Sequence, residues 1–259
     1  MTELISSVLN WIYPQPCPVC NEIVADNYGI CEKCHTHNLN RINNNDGDIC
    51  LKCGRPNEHS GMICDNCTGQ RFYFERSFPV FAYEHLLRKA IHRFKYSFNP
   101  YSAAVFGKEI GNSLLKSEHA RFFVNHKNDF AVISVPLYKD RFKIRGYNQS
   151  EILAREVAKI LGMPFIKDFV IRTKNTAPQS EIVQLDRRAE NVKDAFAVRA
   201  PERIKSKYIL IVDDIYTTGT TLNELSRTIR EMTGKQSFQI FTVTLAITSG
   251  PKMDLDLDL

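Results

Sequence analysis

Two acids stand side by side at the end of an apolar run. Ile209-Leu210-Ile211-Val212 leads into Asp213-Asp214, then Ile215-Tyr216, then the small hydroxyl-rich stretch Thr217-Thr218-Gly219-Thr220-Thr221. A threonine and glycine loop ahead of a helix is an anion site. The first N–H groups of the helix lack partners, the positive end of its dipole faces the loop, and the hydroxyls add donors. Gly219 lets the backbone turn or come close to a ligand. Carboxylates beside a phosphate would repel it, so Asp213 and Asp214 make sense as acceptors for vicinal hydroxyls, with the phosphate one sugar carbon further on. Phosphate plus diol describes a ribose 5-phosphate. The plainer reading is a Rossmann-like strand end with acids in the loop.

A second chemistry lies upstream. All eight cysteines fall in residues 14–70, as Cys17/Cys20, Cys31/Cys34, Cys50/Cys53 and Cys64/Cys67. Ten residues separate Cys20 from Cys31 and ten separate Cys53 from Cys64, and a shift of 33 residues carries the first unit onto the second, an internal repeat. Two C-x-x-C pairs bring four thiolates within reach of one tetrahedral Zn²⁺, so eight suit two structural zincs. A disulfide framework, a redox pair and an iron–sulfur cluster fit the pattern less well. Spacing leaves open whether the pairs share a metal sequentially or interleaved, and His35, His37 and His59 read as bystanders. A module this small depends on metal for its folding energy, so zinc loss would unfold residues 14–70 and leave the rest standing. Its Lys33, Arg41, Lys52 and Arg55 would face a polyanion, or the module is a structural cap.

Two basic stretches follow. In residues 85–96, Arg88, Lys89, His92, Arg93 and Lys95 alternate with an apolar face of Leu87, Ile91 and Phe94. Cations interleaved with Phe94, Tyr96 and Phe98 would track single-stranded DNA, phosphates on the cations and bases on the rings; a solvated amphipathic helix is the alternative. Lys139, Arg141, Lys143 and Arg145, spaced two apart ahead of a helix start, would gather pyrophosphate, or else are surface charge.

The elements that position these groups are legible in outline. Residues 209–212 read as a buried parallel strand, and Leu222, Leu225, Ile229 and Met232 as one helix face ending at Gly234, with Thr221 and Glu224 as a capping box. Phe130 to Leu137 gives a second buried strand, followed by a helix that Asn148 and Glu151 cap, that Leu153, Val157, Ile160 and Leu161 line, and that stops at Gly162 and Pro164. Residues 78–83 supply a first strand, about 101–115 a further helix, and 238–247 a last strand. Leu4, Ile5, Val8, Leu9 and Ile12 suggest a short docking helix, and the acidic tail 251–259 frays.

Residues 209–221 resemble the binding motif for 5-phosphoribosyl pyrophosphate (PRPP) of type I phosphoribosyltransferases. The resemblance implies that Asp213 and Asp214 hold the ribose hydroxyls and that Thr217, Thr218, Gly219, Thr220 and Thr221 wrap the 5-phosphate. It places a pyrophosphate-contacting loop at Ser134 to Lys139, with Arg141 and Arg145 beyond it, and a mobile flap at 172–194, where Arg172, Lys174, Arg187 and Arg188 sit. Arg145-Gly146-Tyr147-Asn148-Gln149-Ser150 and Thr176-Ala177-Pro178-Gln179-Ser180, with Leu185, Arg187, Arg188, Asn191 and Val192, are similar to the ComF family, as is the C-x-x-C array. That likeness covers about Trp11 to Ile247 and implies competence, the uptake of single-stranded DNA, with other competence proteins as partners.

The expected fold is therefore α/β: a type I phosphoribosyltransferase-like parallel sheet flanked by helices over 71–250, preceded by a small zinc-ribbon-like module within 1–70. Three functions are open: a competence-linked DNA-binding protein with a PRPP pocket, an active Mg²⁺-PRPP-dependent transferase resembling amidophosphoribosyltransferases, or a regulator in which PRPP tunes DNA affinity. No residue stands out as a general base, and no motif encodes an acceptor. At 259 residues, 43% hydrophobic and 24% charged, the chain reads as globular; no apolar run approaches a membrane span, and the first residues lack the features of a signal peptide, so the cytoplasm is expected. The net charge of +5 is uneven, with 14 Lys/Arg against 6 Asp/Glu in residues 71–150, which suits phosphates.

Overall fold

Strand character follows from apolar residues that alternate between two buried faces. In the computed structural model, which describes residues 15–23, 29–42, 48–57, 61–96, 99–176, 191–234 and 238–250, the chain runs β1 (Arg76–Ala82), α1 (His85–Tyr96), α2 (Pro100–Lys116), α3 (Ala120–Asn125), β2 (Phe130–Ser134), α4 (Lys139–Arg145), α5 (Gln149–Leu161), β3 (Val170–Arg172), β4 (Phe196–Val198), β5 (Tyr208–Tyr216), α6 (Thr220–Thr233) and β6 (Gln239–Ile247). The expected helix within 1–13, Phe98, His59, the flap residues 177–190 with Arg187 and Arg188, and the tail 251–259 lie outside the described residues.

Four strands form one parallel sheet in the order β1-β6-β5-β2, with Ile133 opposite Ile211 and Val212 opposite Val243. Parallel strands need cover on both faces, and successive β5 residues divide accordingly. Tyr208, Leu210 and Val212 join a core with helices α1, α2, α3 and α5, whereas Ile209, Ile211 and Tyr216 join one with α6 and the antiparallel pair β3–β4. The cysteine units are shared out in the same way: Cys17, Cys31 and Cys34 belong to the first core, and Cys50, Cys53, Cys64 and Cys67 to the second.

Several expectations are corrected in detail. Strand β5 does not stop at Val212; it carries both acids and ends at Tyr216, because Asp213 still pairs with Thr244 of β6 and Ile215 with Ala246. The cap is not Thr221, which is the second residue of α6. Gly219, in the left-handed region at φ 76°, caps α6 with no side-chain hydrogen bond, and Glu224 accepts instead from the Asp194 N–H and Arg227. Met232 is half exposed, while Leu222, Leu225 and Ile229 are buried as expected. The basic stretch ahead of α5 is itself a short helix, Lys139–Arg145. Spacing by two on a helix turns successive cations by about 200°, so Lys139 and Lys143 share a side that Arg141 and Arg145 do not. Helix α5 does start where Asn148 caps it, its side chain accepting from the Ser150 N–H at 3.2 Å, and it ends at left-handed Gly162.

Candidate functional site

The open carboxyl ends of parallel strands are where α/β sheets bind ligands, and here β5 brings Asp213, Asp214 and the threonine loop to that end. Ser150, the second residue of α5, donates its hydroxyl to Asp213 Oδ1 at 2.8 Å, and the Asp214 N–H donates to the same oxygen at 2.9 Å. Burial, reinforced by the neighbouring Asp214 charge, pushes the Asp213 carboxyl up to about 7. Asp214 Oδ2 lies 2.8 Å from Lys95 Nζ at the end of α1, an ion pair in which both side chains are largely buried.

The segment 145–150 is what closes this arrangement. Tyr147 donates its hydroxyl to the Phe94 carbonyl and Gln149 its amide to the Lys95 carbonyl at 3.3 Å, holding the end of α1 that carries Lys95. Asn148 donates to the Val135 carbonyl at 3.0 Å just past β2, and Arg145 reaches Gln149 at 3.2 Å and covers the Tyr96 ring. One short motif thus ties α1, β2 and Asp213 together. The expectations from sequence give Ser150 no role and place Lys95 on DNA; a polar residue in the first turn of a capped helix was the available signal.

In the loop, Thr218 and Thr220 hydroxyls lie 2.6 Å apart. Gly219 is buried, and a Cβ there would collide with the Tyr216 ring. The cap of α6 is a glycine, so no cap side chain occupies the N-terminal end of the helix, the end that favours anions. Gly219→Ala, strained at positive φ and by the tyrosine, is expected to lower Tm and to weaken ribose 5-phosphate binding at least about tenfold. Thermal unfolding and calorimetry check both.

The expected pyrophosphate residues are spread out. Ser134 ends β2 beside Val212, and exposed Lys139 lies over the Tyr138 ring. Arg141 donates to the Thr176 carbonyl at 2.6 Å, and Arg145 is engaged as above. Arg172 approaches the same region, donating to the Thr176 hydroxyl; burial and the Arg141 charge bring it down to about 10. Among the described residues no group of three or more carboxylates or imidazoles gathers here. Asp213 and Asp214 are the carboxylates at this end of β5 that could face a cation.

The cysteines resolve the open pairing as sequential. Cys17, Cys20, Cys31 and Cys34 form one group and Cys50, Cys53, Cys64 and Cys67 the other, ligand atoms within each lying inside 4.8 Å. Tetrahedral Zn–S bonds of about 2.3 Å require an S···S separation of ~3.8 Å, and Cys20–Cys31 and Cys53–Cys64 both stand at 3.8 Å. Matching N–H groups support the sulfurs: Cys31 N–H to Cys17 Sγ at 3.4 Å and Cys64 N–H to Cys50 Sγ at 3.3 Å, the same bond one repeat apart. Two clusters of four cysteines thus support structural zinc.

Of the cations expected to face a polyanion, two turn inward: Lys52 donates to the Phe74 and Glu75 carbonyls and Arg55 is buried. Arg41, which pairs with Glu109 at 2.8 Å, and Lys33 are exposed. On α1, Arg93 donates to the Pro18 and Val19 carbonyls at 3.0 and 2.7 Å, and Phe94 is fully buried, which removes it as a stacking platform. Lys89 is exposed and Arg88 partly so.

Comparison with known proteins adds two family matches, "Double zinc ribbon domain" over residues 8–68 and "Phosphoribosyl transferase domain" over residues 148–254. Among similar proteins, DNA utilization protein YhgH of Shigella flexneri is 31% identical over 215 residues, covering 83% of this chain and 90% of that protein. Competence protein F of Haemophilus influenzae is 29% identical over 76% of this chain and 84% of its own length. Competence protein ComFC of Bacillus subtilis is 24% identical over 83% of each. Among the described residues no helix is long and apolar enough to cross a membrane.

Proposed function

Since this chain belongs to the ComF family, with a phosphoribosyltransferase domain and a double zinc ribbon, we propose that it serves in DNA uptake or utilisation and binds a Mg²⁺-PRPP-type ligand at the carboxyl end of β5. The observation that carries the ligand reading is the acid pair followed by a helix start whose cap has no side chain, all at one end of a parallel sheet. Asp213 and Asp214 take the ribose hydroxyls, residues 217–221 take the 5-phosphate, and the side around Ser134, Arg141 and Arg172 takes the pyrophosphate.

Single-stranded DNA is the second ligand. The names of the relatives and the surplus of cations in residues 71–150 support it, and on α1 the exposed Lys89 and partly exposed Arg88 are available to solvent beside Arg93 and Lys95, which also hold internal partners. Turnover as a transferase is favoured by one feature, Arg141 and Arg172 brought together on Thr176, a cationic pair that could stabilise a departing anion.

Calorimetry with PRPP, with and without Mg²⁺, tests the pocket. Saturable binding that requires Mg²⁺ is expected, and a zinc-loaded protein that binds neither PRPP nor ribose 5-phosphate overturns the reading. Anisotropy of a labelled single strand tests the DNA surface. Affinity should fall steeply with salt, with a log–log slope of about −0.7 per phosphate contacted, and Arg88→Ala/Lys89→Ala should weaken it severalfold; a variant that binds as wild type removes α1 from the interface. Pyrophosphate release on addition of candidate acceptors separates a transferase from a binding protein.

A further inference from the structure

Arg55 belongs to the second cysteine unit, yet it reaches the phosphate loop. Its side chain is only 7% exposed. Nε donates to the Thr248 carbonyl at 2.9 Å and one terminal nitrogen to the Thr217 carbonyl at 3.3 Å. Thr248 is the first residue past β6 and Thr217 the first past β5. The Thr248 N–H in turn donates to the Tyr216 carbonyl at 3.1 Å, so the guanidinium clasps two adjacent strand ends at the point where the loop leaves the sheet.

The repeat shows that the zinc unit itself does not need an arginine there. A shift of 33 residues places Arg55 on Glu22. Both serve the ribbon through the backbone alone: the Cys17 N–H donates to the Glu22 carbonyl at 2.9 Å, and the Cys50 N–H to the Arg55 carbonyl at 2.8 Å. The Glu22 side chain is exposed, whereas that of Arg55 is buried against the loop. Among the described residues no carboxylate pairs with Arg55, whose named side-chain partners are both carbonyls. A buried cation of this kind is tolerable because four thiolates around one Zn²⁺ carry a net negative charge next to it.

We infer that Arg55 is a positioning residue for the 5-phosphate loop: by holding the Thr217 carbonyl it keeps that oxygen, the wrong pole for an anion, away from the phosphate and fixes the exit of the loop from β5. The second zinc unit is thereby a brace for the pocket as well as a folded module. Tyr216, against which Gly219 is pressed, is buried in the same core as Cys50, Cys53, Cys64 and Cys67, so the loop is supported from two directions. The inference rests on the assignment of residues 217–221 to the 5-phosphate.

The test uses the full-length zinc-loaded chain, with Arg55→Met, Arg55→Lys and the control Lys52→Met. Lys52 ties the same unit to the Phe74 and Glu75 carbonyls, away from the loop. Zinc content, Tm and calorimetry with ribose 5-phosphate and with Mg²⁺-PRPP are the readouts. Arg55→Met should keep both zincs yet bind each ligand about tenfold more weakly, by the same factor because both carry the 5-phosphate. Arg55→Lys, which keeps the charge but has one nitrogen in place of the two that reach Thr248 and Thr217 separately, should recover part of the loss, and Lys52→Met should bind as wild type. Unchanged affinity in Arg55→Met with zinc retained overturns the inference, as does loss confined to PRPP or an equal loss in Lys52→Met. Should Arg55→Met lose zinc or fail to fold, Arg55→Lys decides: wild-type affinity for ribose 5-phosphate overturns the inference. Failure of wild type to bind either ligand overturns the pocket assignment itself, a distinguishable result.

Discussion

Chelation of zinc is expected to unfold the chain well beyond residues 14–70, in one cooperative transition. The cysteine region alone suggested a module that could melt by itself. In the structure, Cys50, Cys53, Cys64 and Cys67 share a core with Ile209 and Ile211 of β5, Tyr216, and Leu222, Leu225 and Ile229 of α6. Losing that unit would uncover part of a face of the sheet that α6 and the β3–β4 pair cover only in part. Structural zinc contributes on the order of 10–16 kcal/mol of apparent binding energy, comparable with the roughly 5–15 kcal/mol that holds a domain together, so nothing in the remaining core has the margin to absorb it. Circular dichroism followed against chelator concentration, with zinc release read in parallel by a chromogenic indicator, measures this. Helix signal should fall together with zinc release. Cys53→Ser, on the side of α6 and the phosphate loop, should also abolish ligand binding. Two separated transitions, the first leaving most helix and full Mg²⁺-PRPP affinity, would show that the module melts independently.

The contrast between these two expectations shows where the sequence was informative. Apolar runs at 130–137 and 209–212 announced their strands because both faces of a parallel sheet are buried, and α5 was bounded by Asn148 and Gly162, whose roles are local. Helix α4 left no such trace: it buries no residue, and Phe142 and Ile144 are exposed, so Lys-Asp-Arg-Phe-Lys-Ile-Arg has no apolar face to mark its period. Three-residue β3 and β4 are too short to show alternation. The acid pair and threonine loop were readable because the chemistry is contiguous in the chain. Their supports were not: Lys95 meets Asp214, Ser150 meets Asp213 and Arg55 meets Thr217 across long sequence separations, and a cation carries no sign of whether its partner is a neighbour's carboxylate or a DNA phosphate. Zinc pairing was undetermined for the same reason, since both arrangements satisfy the spacing and only the fold chooses.

Asp213→Asn/Asp214→Asn should lower affinity for Mg²⁺-PRPP by about a hundredfold or more, the consequence of losing two charge-assisted acceptors at roughly 1.5–3 kcal/mol each. The single variant Asp213→Asn separates binding from stability, because the pH behaviour of the two runs in opposite directions. Burial and the adjacent Asp214 hold the Asp213 carboxyl at about 7, against about 3.9 for an unperturbed aspartate. A pKa raised by folding favours the folded state fully below the unfolded value, and this contribution is lost as pH rises from about 4 through about 7. Wild type should therefore lose stability over that window relative to Asp213→Asn, whose Tm at pH 8 should exceed that of wild type while the two converge near pH 4. Ligand hydroxyls and a ligand-borne cation prefer the ionised carboxylate, so wild-type affinity should rise between about pH 6 and pH 8 with release of a proton on binding. Asp213→Asn should flatten that rise. Calorimetry at both pH values in buffers of different ionisation enthalpy, with thermal unfolding of the same samples, measures affinity, proton release and Tm together. Equal PRPP affinity in wild type and the double variant would sink the diol assignment; a more stable Asp213→Asn that binds ligand poorly would show that the acid is kept at a cost in stability because the pocket needs it.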